Sequence, residues 1–140
     1  MEEITYRQIN LDDIRKVTSI GVSDLKVIFE DKFAYGYVAE VCDMIVGFAY
    51  GFHLVDPFGK KKMFYLHSID VFEDFQNKGI GTGLLNYIKT TVLNDGFDEM
   101  FVITDLDNLP MRKVCAKLQG NELLPFSVIN EWHKGENYEN

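Results

Sequence analysis

Between residues 76 and 83 the chain reads Gln-Asn-Lys-Gly-Ile-Gly-Thr-Gly, a spacing of glycines and small polar residues able to hold an anion. Gly79 and Gly81 can take dihedrals that a Cβ disfavours, and without side chains they let a diphosphate approach the main chain closely. A strand-like run, Met63 to Val71, precedes them, and a helical pattern follows with Leu84, Leu85, Ile88 and Val92 on one face. The glycines therefore sit at a strand-to-helix turn. There, N–H groups without intrahelical partners and the positive end of the helix dipole attract phosphate. A tight turn alone would explain the glycines but not Gln76 and the flanking elements together. Lys78 could neutralise a phosphate or be an ordinary solvated lysine. Thr82 could add a hydroxyl or serve as a first-turn helix residue.

The spacing excludes the commoner nucleotide sites. A Walker loop needs Lys-Ser or Lys-Thr after its second glycine, and the dinucleotide fingerprint needs G-x-G-x-x-G, whereas this run is Gly79-x-Gly81-x-Gly83. His53, His67 and His133 do not pair with cysteines or one another at metal-ligand spacing, so no metal site is expected. Cys42 and Cys115 are too few for a disulfide scaffold, and reduced thiols are expected. With 14 Lys and Arg against 22 Asp and Glu, net charge −8, the basic residues form no dense cluster except Lys60-Lys61-Lys62. That argues against nucleic acid and favours cationic partners such as amines, although such a charge also serves solubility alone. No run approaches the roughly 20 apolar residues of a membrane span, and Met1-Glu2-Glu3 does not open like a signal peptide. No membrane partner and a cytoplasmic location are the expectations.

The elements that must position the loop read as an α/β alternation. Strands are predicted at Ile4–Ile9, Tyr35–Val41 and Met44–Leu54, the last two joined by a hairpin turn at Cys42-Asp43. Helices are predicted at Leu11–Ile20 and, capped by Ser23, at Asp24–Phe33. Asp56-Pro57-Phe58-Gly59 marks a turn before Met63–Val71. Beyond the glycine loop come a helix at Gly81–Leu93, a strand at Glu99–Thr104, and a helix capped by Asn108 with Pro110 in its first turn. A helical crossover makes the fourth and fifth strands parallel, and ligands favour the carboxyl ends of such strands. Leu123–Trp132 is predicted as a last strand or hairpin. The expectation is one domain over residues 1–133 with a polar tail at 134–140, an α/β (α+β) mixed sheet flanked by about four helices.

Gln76, Gly79 and Gly81 resemble the Q/R-x-x-G-x-G/A acyl-CoA pyrophosphate loop of the GNAT N-acyltransferase superfamily. Ile69-Asp70-Val71 resembles the end of that family's fourth strand, and Met100 to Asp105 its fifth. Asn108, Val114, Lys117 and Gly120 fall in register with its N-x-x-A-x-x-L-Y-x-K-x-G element. The resemblance is clearest from Met63 to Gly120, and in motif most like the aminoglycoside 3-N-acetyltransferase branch. It implies acetyl-CoA as cofactor, with contacts at Ile69, Val71, Gln76, Asn77, Lys78, Gly79, Ile80, Gly81, Thr82, Asn108 and Lys117.

Acyl transfer to an amine needs a positioned thioester, a proton acceptor for the ammonium, donors to the oxyanion and a proton for the departing thiolate. The resemblance implies the Val71 N–H as oxyanion donor, with pantetheine between the splayed ends of the fourth and fifth strands. The family's usual tyrosine acid is replaced by Cys115, a thiol of ordinary pKa about 8.5 that could protonate a thiolate, or a small buried hydrophobe. Where aminoglycoside relatives often carry an acid, this chain has Ser68. Asp70, on the same face by the strand period of two, is the first choice of base; His67 is expected on the opposite face. Direct proton loss to water would need no base at all. Asp105 and Asp107 could bind a cation or cap the next helix, while Phe48, Tyr50 and Phe52 read as core or sheet face. The function implied is acetyl-CoA-dependent N-acetylation of a small, cationic primary amine. The alternatives are protein or N-terminal amine acetylation, or a catalytically weak acyl-CoA-binding module; the resemblance also allows a homodimer.

Overall fold

The computed structural model describes residues 2–13, 30–122 and 130–135, which fall in two compact units, Met1–Asp105 and Leu106–Asn140. In the first unit the chain runs β1 (Ile4–Gln8), a 3-10 turn (Leu11–Asp13), β2 (Ala34–Val41), β3 (Met44–Val55), β4 (Lys62–Val71), a second 3-10 turn (Glu73–Phe75), α1 (Ile80–Asn94) and β5 (Glu99–Val102). Among the described residues five strands lie in sequence order in one sheet; β1 to β4 are antiparallel neighbours, and β5 pairs parallel to β4.

Local chemistry accounts for the turns. Cys42 and Asp43 both have positive φ, 48° and 61°, the geometry of a two-residue hairpin that matches strand twist. The Asp56 carboxylate gathers the N–H groups of Phe58, Lys60 and Lys61 at 2.9–3.0 Å, which closes the β3–β4 loop. Those bonds, the one from Phe58 first, hold its carboxyl below the usual range. In α1, Ile80, Leu84, Leu85, Ile88 and Val92 are buried, the face expected from the apolar spacing. That face packs on the side of the sheet bearing Ala39, Gly47 and Val71, as Leu84 near Gly47 and Ile80 in one cluster with Ala39 and Val71 show.

Two α-helices occur among the described residues, where about four were expected; most of the N-terminal pair at 11–20 and 24–33 lies outside those residues. At the described ends of these two runs, residues 11–13 and 31–33 are not α-helical. Leu11–Asp13 is a 3-10 turn in which Asn10 accepts from the Asp12 N–H and Asp13 accepts from the Asn10 N–H. Glu30 is helical, but Asp31 then takes the Phe33 N–H on its carboxylate and the Ala34 N–H on its carbonyl, diverting both from a helix. β5 stops at Val102 rather than Thr104, because its last β4 partner is Leu66. Residues 123–129 of the expected last strand lie outside the description, and 130–132 are not extended into one. The second unit contains α2 (Leu109–Lys117), and of the polar tail it describes only Lys134 and Gly135, a turn. Among the described residues no helix is long and apolar enough to cross a membrane.

Candidate active site

β4 governs the site, and a bulge governs β4. Tyr50 pairs with Ser68 and Gly51 with Leu66, so His67 is an extra residue with no partner on β3. A bulge bends its strand and sharpens the twist. Pairing with β5 ends at this point, at Leu66 opposite Val102, and residues 67–71 run on without a β5 neighbour. Phe72 donates to the Val46 carbonyl at 2.8 Å. By the two-residue alternation of an antiparallel ladder, Asp70 then bonds to β3, while Ile69 and Val71 turn their N–H and C=O groups to the open edge. Gln76 Nε2 fills one of these acceptors, donating to the Val71 carbonyl at 2.9 Å. The Gln76 side chain is therefore a brace between the loop and the strand end.

Gly79 caps α1 in the left-handed region with φ 82°, and Asn77 shares that region at 61°. The first α1 N–H to reach a carbonyl is that of Gly83, bonding Gly79 at 2.9 Å. The N–H groups of Ile80, Gly81 and Thr82 precede it without intrahelical partners. A Cβ on Gly79 would meet nothing within 4 Å, so the space in front of the turn is open. Gly81 needs no special dihedral, and a Cβ there would only touch Val71 Cγ2 at 3.7 Å; what its absence leaves is room for close approach. Gly83 answers to a different demand, since a Cβ would collide with the Tyr6 phenol. Lys78 extends its ammonium over the Phe75 ring, 5.4 Å from the centroid, beside the same exposed loop. Residues 76–79 are exposed.

On the sheet face away from α1, Ser68 donates to the Asp70 carboxylate at 3.2 Å, which places both on one face as expected. His67 was expected on the other face. Instead it stacks on Tyr50, with ring centroids 5.0 Å apart, and meets Tyr65 and Phe52 at 5.6 and 6.2 Å. The bulge puts two successive β4 residues on one side, which a strict period of two forbids. No spacing in the sequence announces it. Phe48, Tyr50 and Phe52, read as core or sheet face, divide accordingly: Phe48 is fully buried, while the other two remain partly open.

Cys115, Asn108 and Lys117 belong to the second unit. Asn108 caps α2 by accepting the Met111 N–H at 3.3 Å, and Lys117 lies in the last turn. Cys115 is half-buried and unbridged, and its carbonyl accepts from Gly120 at 2.9 Å. Burial, and then the Glu122 charge, push its thiol up, so it carries its proton at neutral pH. Among the described residues no three His, Cys, Asp or Glu side chains are grouped to hold a metal ion.

The likeness to known proteins follows the same region. A sequence profile described as the acetyltransferase (GNAT) family matches residues 6–120. No curated protein matches the chain. Among solved structures, the aminoglycoside N-acetyltransferase AAC(6')-Iy in complex with CoA superposes with TM-score 0.77 at 19% identity, covering 96% of this chain and 97% of that one. An aminoglycoside acetyltransferase from an uncultured soil metagenomic sample, in complex with sisomicin, gives 0.74 at 19% over 95% and 97%. A ribosomal-protein-alanine N-acetyltransferase from Brucella melitensis biovar Abortus 2308 gives 0.74 at 16% over 92% and 99%. At these identities the structures speak for a shared fold. With the family profile spanning most of the sequence, around a glycine turn and an unpaired strand end, the chain belongs to the GNAT family of acetyltransferases, whose acyl donor is acetyl-CoA.

Proposed function

We propose that the protein transfers an acetyl group from acetyl-CoA to the primary amine of a small cationic molecule, by direct attack while both are bound. The observation that carries this reading is the unpaired edge of β4 at Ile69 and Val71, beside the free N–H groups that open α1. Asn77, Lys78, Gly79, Ile80, Gly81 and Thr82 would hold the diphosphate, by backbone donors and the Lys78 charge; Gln76 would serve by bracing the loop. The Ile69 and Val71 main chain would line the pantetheine. Asn108 and Lys117 carry a proposed coenzyme role from their motif register alone.

Bound acetyl-CoA supplies the activated acyl group. Asp70 accepts the ammonium proton, its carboxylate oriented by the Ser68 hydroxyl. The Val71 N–H donates to the oxygen on which negative charge develops, held in place because Gln76 fixes the adjoining carbonyl. Cys115 is the proposed acid for the departing thiolate, and its raised pKa suits a proton donor.

Calorimetric titration with acetyl-CoA tests the site. Gly79→Glu, which adds bulk and negative charge in the open space before the turn, should weaken binding at least about tenfold. Equal binding by the variant, or none by the wild type, overturns the reading. The replacements at Ser68 and Cys115 favour one other reading, a module that binds acyl-CoA without turnover. Cys115→Ala separates the two: a kcat loss with unchanged acetyl-CoA affinity belongs to the enzyme.

A further inference from the structure

The face of β3–β5 that carries Ser68 and Asp70 is built of rings. Phe101 stacks on its cross-strand partner Tyr65 with centroids 5.1 Å apart and planes 18° from parallel. Tyr65 meets His67 at 5.6 Å, and His67 lies on Tyr50 at 5.0 Å with planes 22° apart. Phe52 closes the group edge-on to Tyr50 and His67. This shelf is partly open: His67 is exposed, Phe101 retains 36% of its surface, and Tyr50 and Tyr65 are half-buried. At its Tyr50 end stands Ser68, the cross-strand partner of Tyr50, with its hydroxyl on Asp70.

From this juxtaposition we infer that the acceptor is an amine with a flat apolar body, an arylalkylamine, whose ring lies on the Tyr50–His67–Tyr65–Phe101 shelf and whose ammonium meets Asp70. The inference rests on the acyl-transfer reading above and sharpens its acceptor. Ring faces attract both a second aromatic system and a cation, and the neighbouring carboxylate supplies the complementary charge. A polyhydroxylated polycation would need several carboxylates and hydrogen-bonding side chains. Among the described residues the shelf offers it ring surface and a single carboxylate–hydroxyl pair, Ser68 on Asp70.

Calorimetry with the CoA-loaded protein tests it using four probes: 2-phenylethylamine, its neutral analogue 2-phenylethanol, the ring-free n-propylamine, and kanamycin. The expected result is that 2-phenylethylamine binds roughly tenfold or more tightly than each of the others. Tyr50→Leu and the less buried Phe101→Ala should each weaken it roughly three- to tenfold, with folding of both variants checked by thermal melts. Tighter binding of kanamycin, equal binding of n-propylamine, indifference to both substitutions, or no binding of 2-phenylethylamine overturns the inference. Failure of CoA to bind in the loading step instead overturns the acyl-transfer reading, so the two failures are distinct.

Discussion

Arg7 donates to both oxygens of Asp13 at 2.7 and 2.9 Å and to Glu40 at 2.8 Å, tying β1, β2 and the Leu11–Asp13 turn around Asp13, a residue only 1% exposed. The Asp13 hydrogen bond first, then Glu40, pushes the guanidinium pKa up, so Arg7 stays charged throughout the accessible pH range. Tyr37 is one residue that makes stability pH-dependent at the alkaline end. It is buried against Phe64 and Tyr87, and burial above all pushes its phenol up. The folded state therefore keeps a proton that the unfolded chain loses near pH 10. Stability is full below that pH and falls above it, by up to about 1.4 kcal/mol per pH unit. Denaturant titrations between about pH 8 and 11 should show this fall, and Tyr37→Phe should reduce its slope; an unchanged slope would place the phenol elsewhere than in the core.

At the level of elements, β4 depends on glycine in its neighbour. A Cβ on Gly51 would lie 2.6 Å from Phe64 Cε1 and also collide with the Tyr65 carbonyl, next to the His67 bulge. Backbone cannot yield as a flexible side chain tip can, so Gly51→Ala should cost about 1–3 kcal/mol or more in chemical denaturation, the range of overpacked cores. Because the strain falls where β4 leaves β5, acetyl-CoA affinity should fall with it. Destabilisation without any change in affinity would separate the bulge from the cofactor site. The strands themselves were legible from residue type: five of the six predicted runs match β1 to β5 within one or two residues, while most of the sixth, at 123–132, lies outside the described residues. The boundaries that moved did so for local reasons, such as the Asp31 side chain competing for the Phe33 N–H.

For the whole molecule, net charge −8 bears on both ligands in opposite senses. A cationic acceptor of the kind proposed would be drawn in and an anionic cofactor repelled, and both effects fade as the Debye length shrinks from about 30 Å at 0.01 M salt to about 8 Å at 0.15 M. Stopped-time assays should therefore show kcat/KM for a monocationic amine falling roughly two- to tenfold across that range, without loss of acetyl-CoA affinity. A flat profile would leave the acidity to solubility alone.

The sequence by itself determined the glycine turn between strand and helix, the five strands, the apolar face of α1 and the family, because each rests on local spacing or residue type. Ser68 and Asp70 on one face also followed from the period of two. The tertiary structure alone decided that Gln76 braces the Val71 carbonyl, that Gly83 yields to Tyr6, and that His67 joins Tyr50 and Asp70 on one side. Each of these depends on how separate segments pair in space. A single bulged residue inverts the facing of its strand, and pairing register is a property of two strands together, which no run of residues in one of them encodes.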